Sequence, residues 1–115
     1  MTPITHILLV EDNHLDVELT LDAFGQVPSH HRIHVVRNGT EALEYMAGTG
    51  PFADRSQFPF PDLILLDLKL PGIDGFEVLR RLKSTPLIRR IPIVVLTSSA
   101  EHGDRALSYD HGANS

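Results

Sequence analysis

The feature that most constrains this chain is a recurring pair: a short run of consecutive apolar residues, then a stretch with helical spacing. "ILLV" (Ile7–Val10) is followed by Val17, Leu21 and Phe24 at i, i+4 and i+7, one face of a helix. "RIHVVR" (residues 32–37) precedes Ala42, Leu43 and Met46, with Asn38-Gly39 opening that second helix. "LILL" (Leu63–Leu66) precedes Phe76, Leu79 and Leu82, where Glu77 sits at helix-neighbour spacing from Arg80 and Arg81 and Pro86 ends the pattern. "IPIVVL" (residues 91–96) precedes a fourth helix expected from Ala100 to about Tyr109, with Gly112 placed as its C′ residue. Runs that are apolar throughout, rather than alternating, belong to strands buried on both faces. Strands alternating with helices imply a parallel sheet with helices on either side. The expectation is an α/β fold in the order βαβαβαβα, formed by one domain over residues 1–115.

Composition narrows the function. The chain is acidic, with a net charge of −5, which disfavours a nucleic-acid partner because phosphate contacts need a basic surface. It has no cysteine, so disulfides and thiolate metal sites are excluded, and a reducing cytoplasm fits. "MTPITHILLV" has no basic n-region and only a four-residue apolar run, so it does not read as a signal peptide. No segment approaches the ~20 apolar residues of a membrane span.

The acids fall where such a sheet binds ligands, outside the carboxyl ends of its strands. Strand one ends in Glu11-Asp12, strand three in Asp67, and strand four in Thr97-Ser98. Right-handed crossovers allow strands one and three to be neighbours about 4.8 Å apart, which crowds three carboxylates into one patch. Carboxylates that close either raise a pKa or gather round a cation. Oxygen donors without thiols suit Mg²⁺ or Mn²⁺. Asp12 alone has a plainer reading as a helix cap or turn residue. Asp67 is less easily a cap, since Lys69 and Leu70 follow before the turn at Pro71-Gly72.

"ILLVEDN", "LILLDLKLPGIDGFEVL" and "IPIVVLTSSA", in that order, resemble the CheY-like receiver domain of two-component response regulators. The resemblance covers nearly the whole chain. The longer stretch before strand three, running into "PFPDLILLDLKLP", is similar to small stand-alone receivers paired with phytochrome-like histidine kinases. The resemblance implies a flavodoxin-like, doubly wound sheet of order 2-1-3-4-5. It also implies that Asp67 accepts a phosphoryl group from a sensor histidine kinase. Glu11, Asp12, Asp67 and the backbone carbonyl of Lys69 would hold Mg²⁺ or Mn²⁺, and the Thr97 hydroxyl would meet the phosphoryl group. Pro71-Gly72 and Gly75 would shape the loop beside the site. On this reading the chain is a phosphoacceptor regulator and not an enzyme with a separate substrate.

The resemblance also implies, after "HGA", a fifth strand with an aromatic residue, a Lys-Pro pair and a fifth helix. The sequence given has no counterpart to these before Ser115. With strand five and helix five missing, the apolar strand four would form the sheet edge, inviting a homodimer or a domain-swapped assembly. The alternative function that follows is an interaction module that self-associates without a phosphate cycle. An aspartate-nucleophile phosphatase would want an acid where Lys69 stands, and a dinucleotide site would want glycines in "EDNHLD". His30, His31 and His34 read as a solvated edge rather than a metal site. His14 reads as an exposed helix start, and Phe52, Phe58 and Phe60 as side chains folded back onto the domain.

Overall fold

The computed structural model describes residues 4–28, 30–70, 75–96 and the backbone of 107–109. The chain runs β1 (Thr5–Val10), α1 (His14–Gly25), β2 (His31–Val36), α2 (Gly39–Ala47), β3 (Leu63–Asp67), α3 (Gly75–Lys83), β4 (Ile93–Leu96) and β5 (Leu107–Tyr109). Single 3-10 turns at Gly50–Phe52 and Ile88–Arg90 punctuate the connections. The sheet order is β2-β1-β3-β4-β5. The first four strands are parallel, the order expected from the sequence.

Alternation along each strand divides the core into two layers. Leu8, Val10, Ile64, Leu66 and Ile93 point to the face covered by α2 and α3, against Ala42, Met46, Val78 and Leu82. Ile7, Leu9, Leu65 and Val94 point to the opposite face, against Val17 of α1. Both faces of β1 and β3 are covered, which is why those strands carry no polar residue between Ile7 and Val10 or between Leu63 and Leu66.

Local chemistry sets the helix ends. Asn13 caps α1, its side chain accepting from the Asp16 amide, and Asn38 caps α2 in the same way through Glu41. At the far end of α2, Gly48 takes a φ of 71°, and its amide donates to the carbonyls of Glu44 and Tyr45. The long stretch that follows is folded and pinned. Arg55 donates to the carbonyls of Met46 and Phe58, while Tyr45 donates its hydroxyl to the Pro59 carbonyl. Phe52 and Phe58 close around Tyr45 with ring centroids 5.2 and 6.0 Å away. Those two phenylalanines are folded back as expected, whereas Phe60 stays exposed.

Three expectations need correction. Leu107–Tyr109 is a strand, not the end of a helix that starts at Ala100. It runs antiparallel to β4, pairing Val94 with Tyr109, Val95 with Ser108 and Leu96 with Leu107. Strand four is therefore not a bare edge, because β5 meets backbone groups that its apolar sequence would otherwise offer to another chain. This strand precedes "HGA", so it is not the fifth strand that the resemblance implies after that motif. Helix spacing misassigned two side chains as well: Leu21 and Phe76 are exposed, and Val78 takes the core position on α3 that Phe76 was expected to share. The expected C′ glycine, Gly112, and residues 100–106 of the expected fourth helix lie outside the described residues.

Candidate phosphoacceptor and metal site

β1 and β3 are direct neighbours, with Val10 opposite Leu66. Each strand delivers an acid at its carboxyl end. Asp67 is the last residue of β3, on the central strand of the sheet, and Glu11 follows the last residue of β1. Both are almost wholly buried, at 2% and 1% exposure, and they are the buried charged side chains among the described residues. Asp12, next in sequence, is exposed. One carboxylate oxygen from each of Glu11, Asp12 and Asp67 lies within 4.8 Å of the others. Asp12 is not the helix cap, because Asn13 fills that role. The cap reading offered for Asp12 by the sequence is thus taken over by its neighbour.

Backbone amides hold the two buried acids in place. Glu11 accepts from the Asn13 amide at 3.1 Å, and Asp67 accepts from the Lys69 amide at 3.0 Å. Burial, and then a hydrogen bond with Asp67, pushes the Glu11 carboxyl from 4.5 up to about 8. Near neutral pH the cation-free site therefore keeps a proton on Glu11, shared towards Asp67. This is one of the two outcomes that crowding predicts. Oxygen-only donors, two of them buried and one open to solvent, fit a hard divalent cation that retains part of its water shell.

The floor of the site is built by close backbone packing. The Gly75 amide donates to the Leu68 carbonyl at 3.1 Å. A methyl group on Gly75 would overlap the Leu68 Cα and lie 2.8 Å from the Asp67 carbonyl oxygen. Glycine is needed here for space and not for an unusual φ. Thr97, Pro71 and Gly72 lie outside the described residues. Among the described residues, His31 and His34 face different partners. His31 packs edge-on to Phe24 at 5.5 Å, whereas His34 meets His6, with Nδ1 of His6 3.3 Å from Nε2 of His34. Sequence reasoning missed Asn13, which both caps α1 and holds Glu11. Its signal was present, an Asn just before an apolar-periodic stretch.

Comparison with known proteins gives the family. Residues 7–115 match the response regulator receiver domain family. The chain belongs to that family. Among curated relatives, this receiver is 39% identical over 108 residues to response regulator Rcp1 of Synechocystis sp., covering 94% of the chain and 71% of Rcp1. Among solved structures, the phosphorylated cyanobacterial phytochrome response regulator RcpA is 43% identical with a TM-score of 0.77, over 89% of this chain and 71% of that one. The Mn²⁺-bound form of Rcp1 is 40% identical with a TM-score of 0.76, over 83% of this chain and 66% of that one. This receiver is a CheY-like phosphoacceptor module of two-component signal transduction. Its acidic cluster is one that could hold a metal. No helix among the described residues is long and apolar enough to cross a membrane.

Proposed function

We propose that residues 1–115 act as a single receiver domain whose phosphoacceptor is Asp67. The observation that carries this is the convergence of Glu11, Asp12 and Asp67 at the carboxyl ends of the two neighbouring strands β1 and β3. An Asp67 carboxylate oxygen attacks the phosphorus of a kinase phosphohistidine. The P–N bond breaks, the imidazole leaves with its electron pair, and an acyl phosphate remains on Asp67. The Lys69 amide fixes the orientation of the attacking carboxylate. Glu11, Asp12, Asp67 and the Lys69 carbonyl are the groups that would hold Mg²⁺ or Mn²⁺. A cation there would offset the charge of the carboxylates and of the incoming phosphoryl oxygens. Thr97 would donate its hydroxyl to a phosphoryl oxygen. On this reading the chain acts as a phosphoacceptor rather than as an enzyme with a separate substrate.

The similarity to Rcp1 and to the phytochrome response regulator RcpA supports a phytochrome-like histidine kinase as the donor, in the cytoplasm. Nucleic acid and membrane are not among the partners on this reading. Self-association through a bare β4 loses its basis, because β5 occupies that edge. Phosphate incorporation from acetyl phosphate with Mg²⁺, compared between the parent chain and Asp67→Asn, tests the proposal. Incorporation should be complete in the parent and absent in the variant. Equal labelling of both would move the acceptor elsewhere. No labelling of either would favour the interaction module without a phosphate cycle.

A further inference from the structure

Charge is unevenly distributed on this acidic chain. From Glu77 to Arg90, α3 and the turn after it carry Arg80, Arg81, Lys83, Arg89 and Arg90 against Glu77 alone. Glu77 engages Arg80 and Arg81. The guanidinium groups of Arg89 and Arg90 are exposed and meet no carboxylate among the described residues. This basic segment borders an open groove of about 460 Å³ between α2 and α3. Leu43, Met46, Phe60, Leu82, Leu87 and Ile88 line it, together with Arg81, and no acid does. Phe60 and Leu87 stand on its rim at 41% and 74% exposure.

The opposite combination lies on α1. Leu15 and Leu19 are 64% and 55% exposed, although helix-forming sequences normally turn such residues inward. They stand one turn apart on the same side of the helix. Glu18 and Asp22, both exposed, flank them on that side. α1 is thus an apolar stripe edged with acids, and the groove is an apolar trough edged with arginines. Helices that bind grooves use anchors at this i, i+4 spacing.

We propose that α1 of a second copy of this chain docks in the α2–α3 groove. Leu15 and Leu19 enter the apolar trough, and Glu18 and Asp22 face the basic segment of α3 and Arg89-Arg90. The two surfaces differ, so the contact is head-to-tail, and it propagates into a ring or a filament unless its rotation closes. Because α1 begins directly after Asp12 and Asn13, each docked copy places its acidic site beside its neighbour. The pairing does not depend on the phosphoacceptor assignment.

Sedimentation velocity on the full chain across a wide concentration range tests it. The expected result is concentration-dependent association that weakens as salt rises. Leu19→Asp, at an exposed position, should weaken association about tenfold or more. Arg89→Glu with Arg90→Glu should also weaken it, as should Glu18→Arg with Asp22→Arg. Mixing those two charge-reversed proteins should restore association between them, which shared misfolding could not do. A chain that stays monomeric throughout overturns the proposal. So does association that responds to Leu19→Asp but not to the arginine changes, and so does the failure of the mixed pair to recover.

Discussion

Glu11 and Asp67 are bonded to each other through their side chains, inside the protein, at the ends of adjacent parallel strands. Glu11 keeps its proton there, and that makes stability depend on pH. The unfolded chain releases the Glu11 proton near 4.5, whereas the folded chain keeps it to about 8. The raised folded value means that the stabilisation is fully present below 4.5 and is lost as pH climbs through about 8. Urea midpoints of the cation-free protein should therefore fall across that window. Adding Mg²⁺ should flatten the dependence and release a proton. Asp67→Asn, which removes the neighbouring charge and supplies an amide able to donate to ionised Glu11, should narrow the window. A midpoint that rises between pH 5 and pH 8 in chelator would contradict the retained proton.

Asp12→Ala should abolish the divalent response of the site, measured as Mg²⁺- or Mn²⁺-dependent shifts or broadening of NMR resonances around Glu11 and Asp67. Asp12 is the solvent-exposed member of the trio, so the change should leave the melting temperature of the cation-free protein nearly unaltered. His31→Ala should leave the metal response intact, because His31 is turned to Phe24. Shifts centred on His30 and His31 would place the cation elsewhere.

Gly75→Ala should destabilise the domain by about 1–3 kcal/mol, the usual cost of forcing a methyl into packed backbone. The collision involves the Asp67 carbonyl and Leu68 Cα, neither of which is the end of a flexible side chain. The variant should also accept phosphate more slowly, since the strand end carrying Asp67 must move to admit the methyl. Thermal melts and acetyl phosphate labelling read the two effects separately. Parent-like values in both would remove the close approach.

Tyr45→Phe should cost about 0.5–1.5 kcal/mol through loss of the hydroxyl bond to Pro59. Tyr45→Ala should cost about 3–5 kcal/mol, because the ring is buried between α2 and the stretch that precedes β3. Limited proteolysis of the alanine variant should cut first between Gly48 and Pro61. Resistance of that stretch would show that Arg55 suffices to pin it.

What could be read from the sequence follows from which forces are local. Buried parallel strands announce themselves as unbroken apolar runs, so β1, β3 and β4 and the order of the first four strands were legible. So was the crowding of Glu11, Asp12 and Asp67, since strand ends fix where those residues fall. Leu21 and Phe76 were misplaced because periodicity shows that a helix has an apolar face but not how wide its contact is. Val78, two residues on and on the other side of α3, fits the sheet where Phe76 does not reach it. β5 escaped because three residues carry no period, and only the unmet backbone of β4 explains them. The anchoring of residues 48–61 was hidden for a similar reason. It rests on Arg55 reaching the Met46 and Phe58 carbonyls and on Tyr45 reaching that of Pro59, which leaves no repeating pattern.

β2 and β4 are protected differently, and this bears on how the protein keeps from forming fibres. β4 is shielded by β5, whereas β2 faces outward with "HRIHVV", in which Arg32 is the sole permanently charged side chain. Burial, and then the charges of His6 and Arg32, hold the His34 imidazole below its usual value. Above neutrality one guanidinium therefore stands guard over an otherwise apolar, β-prone edge. Arg32 is in that sense a gatekeeper, and the conditions that most expose the chain to strand stacking are alkaline ones.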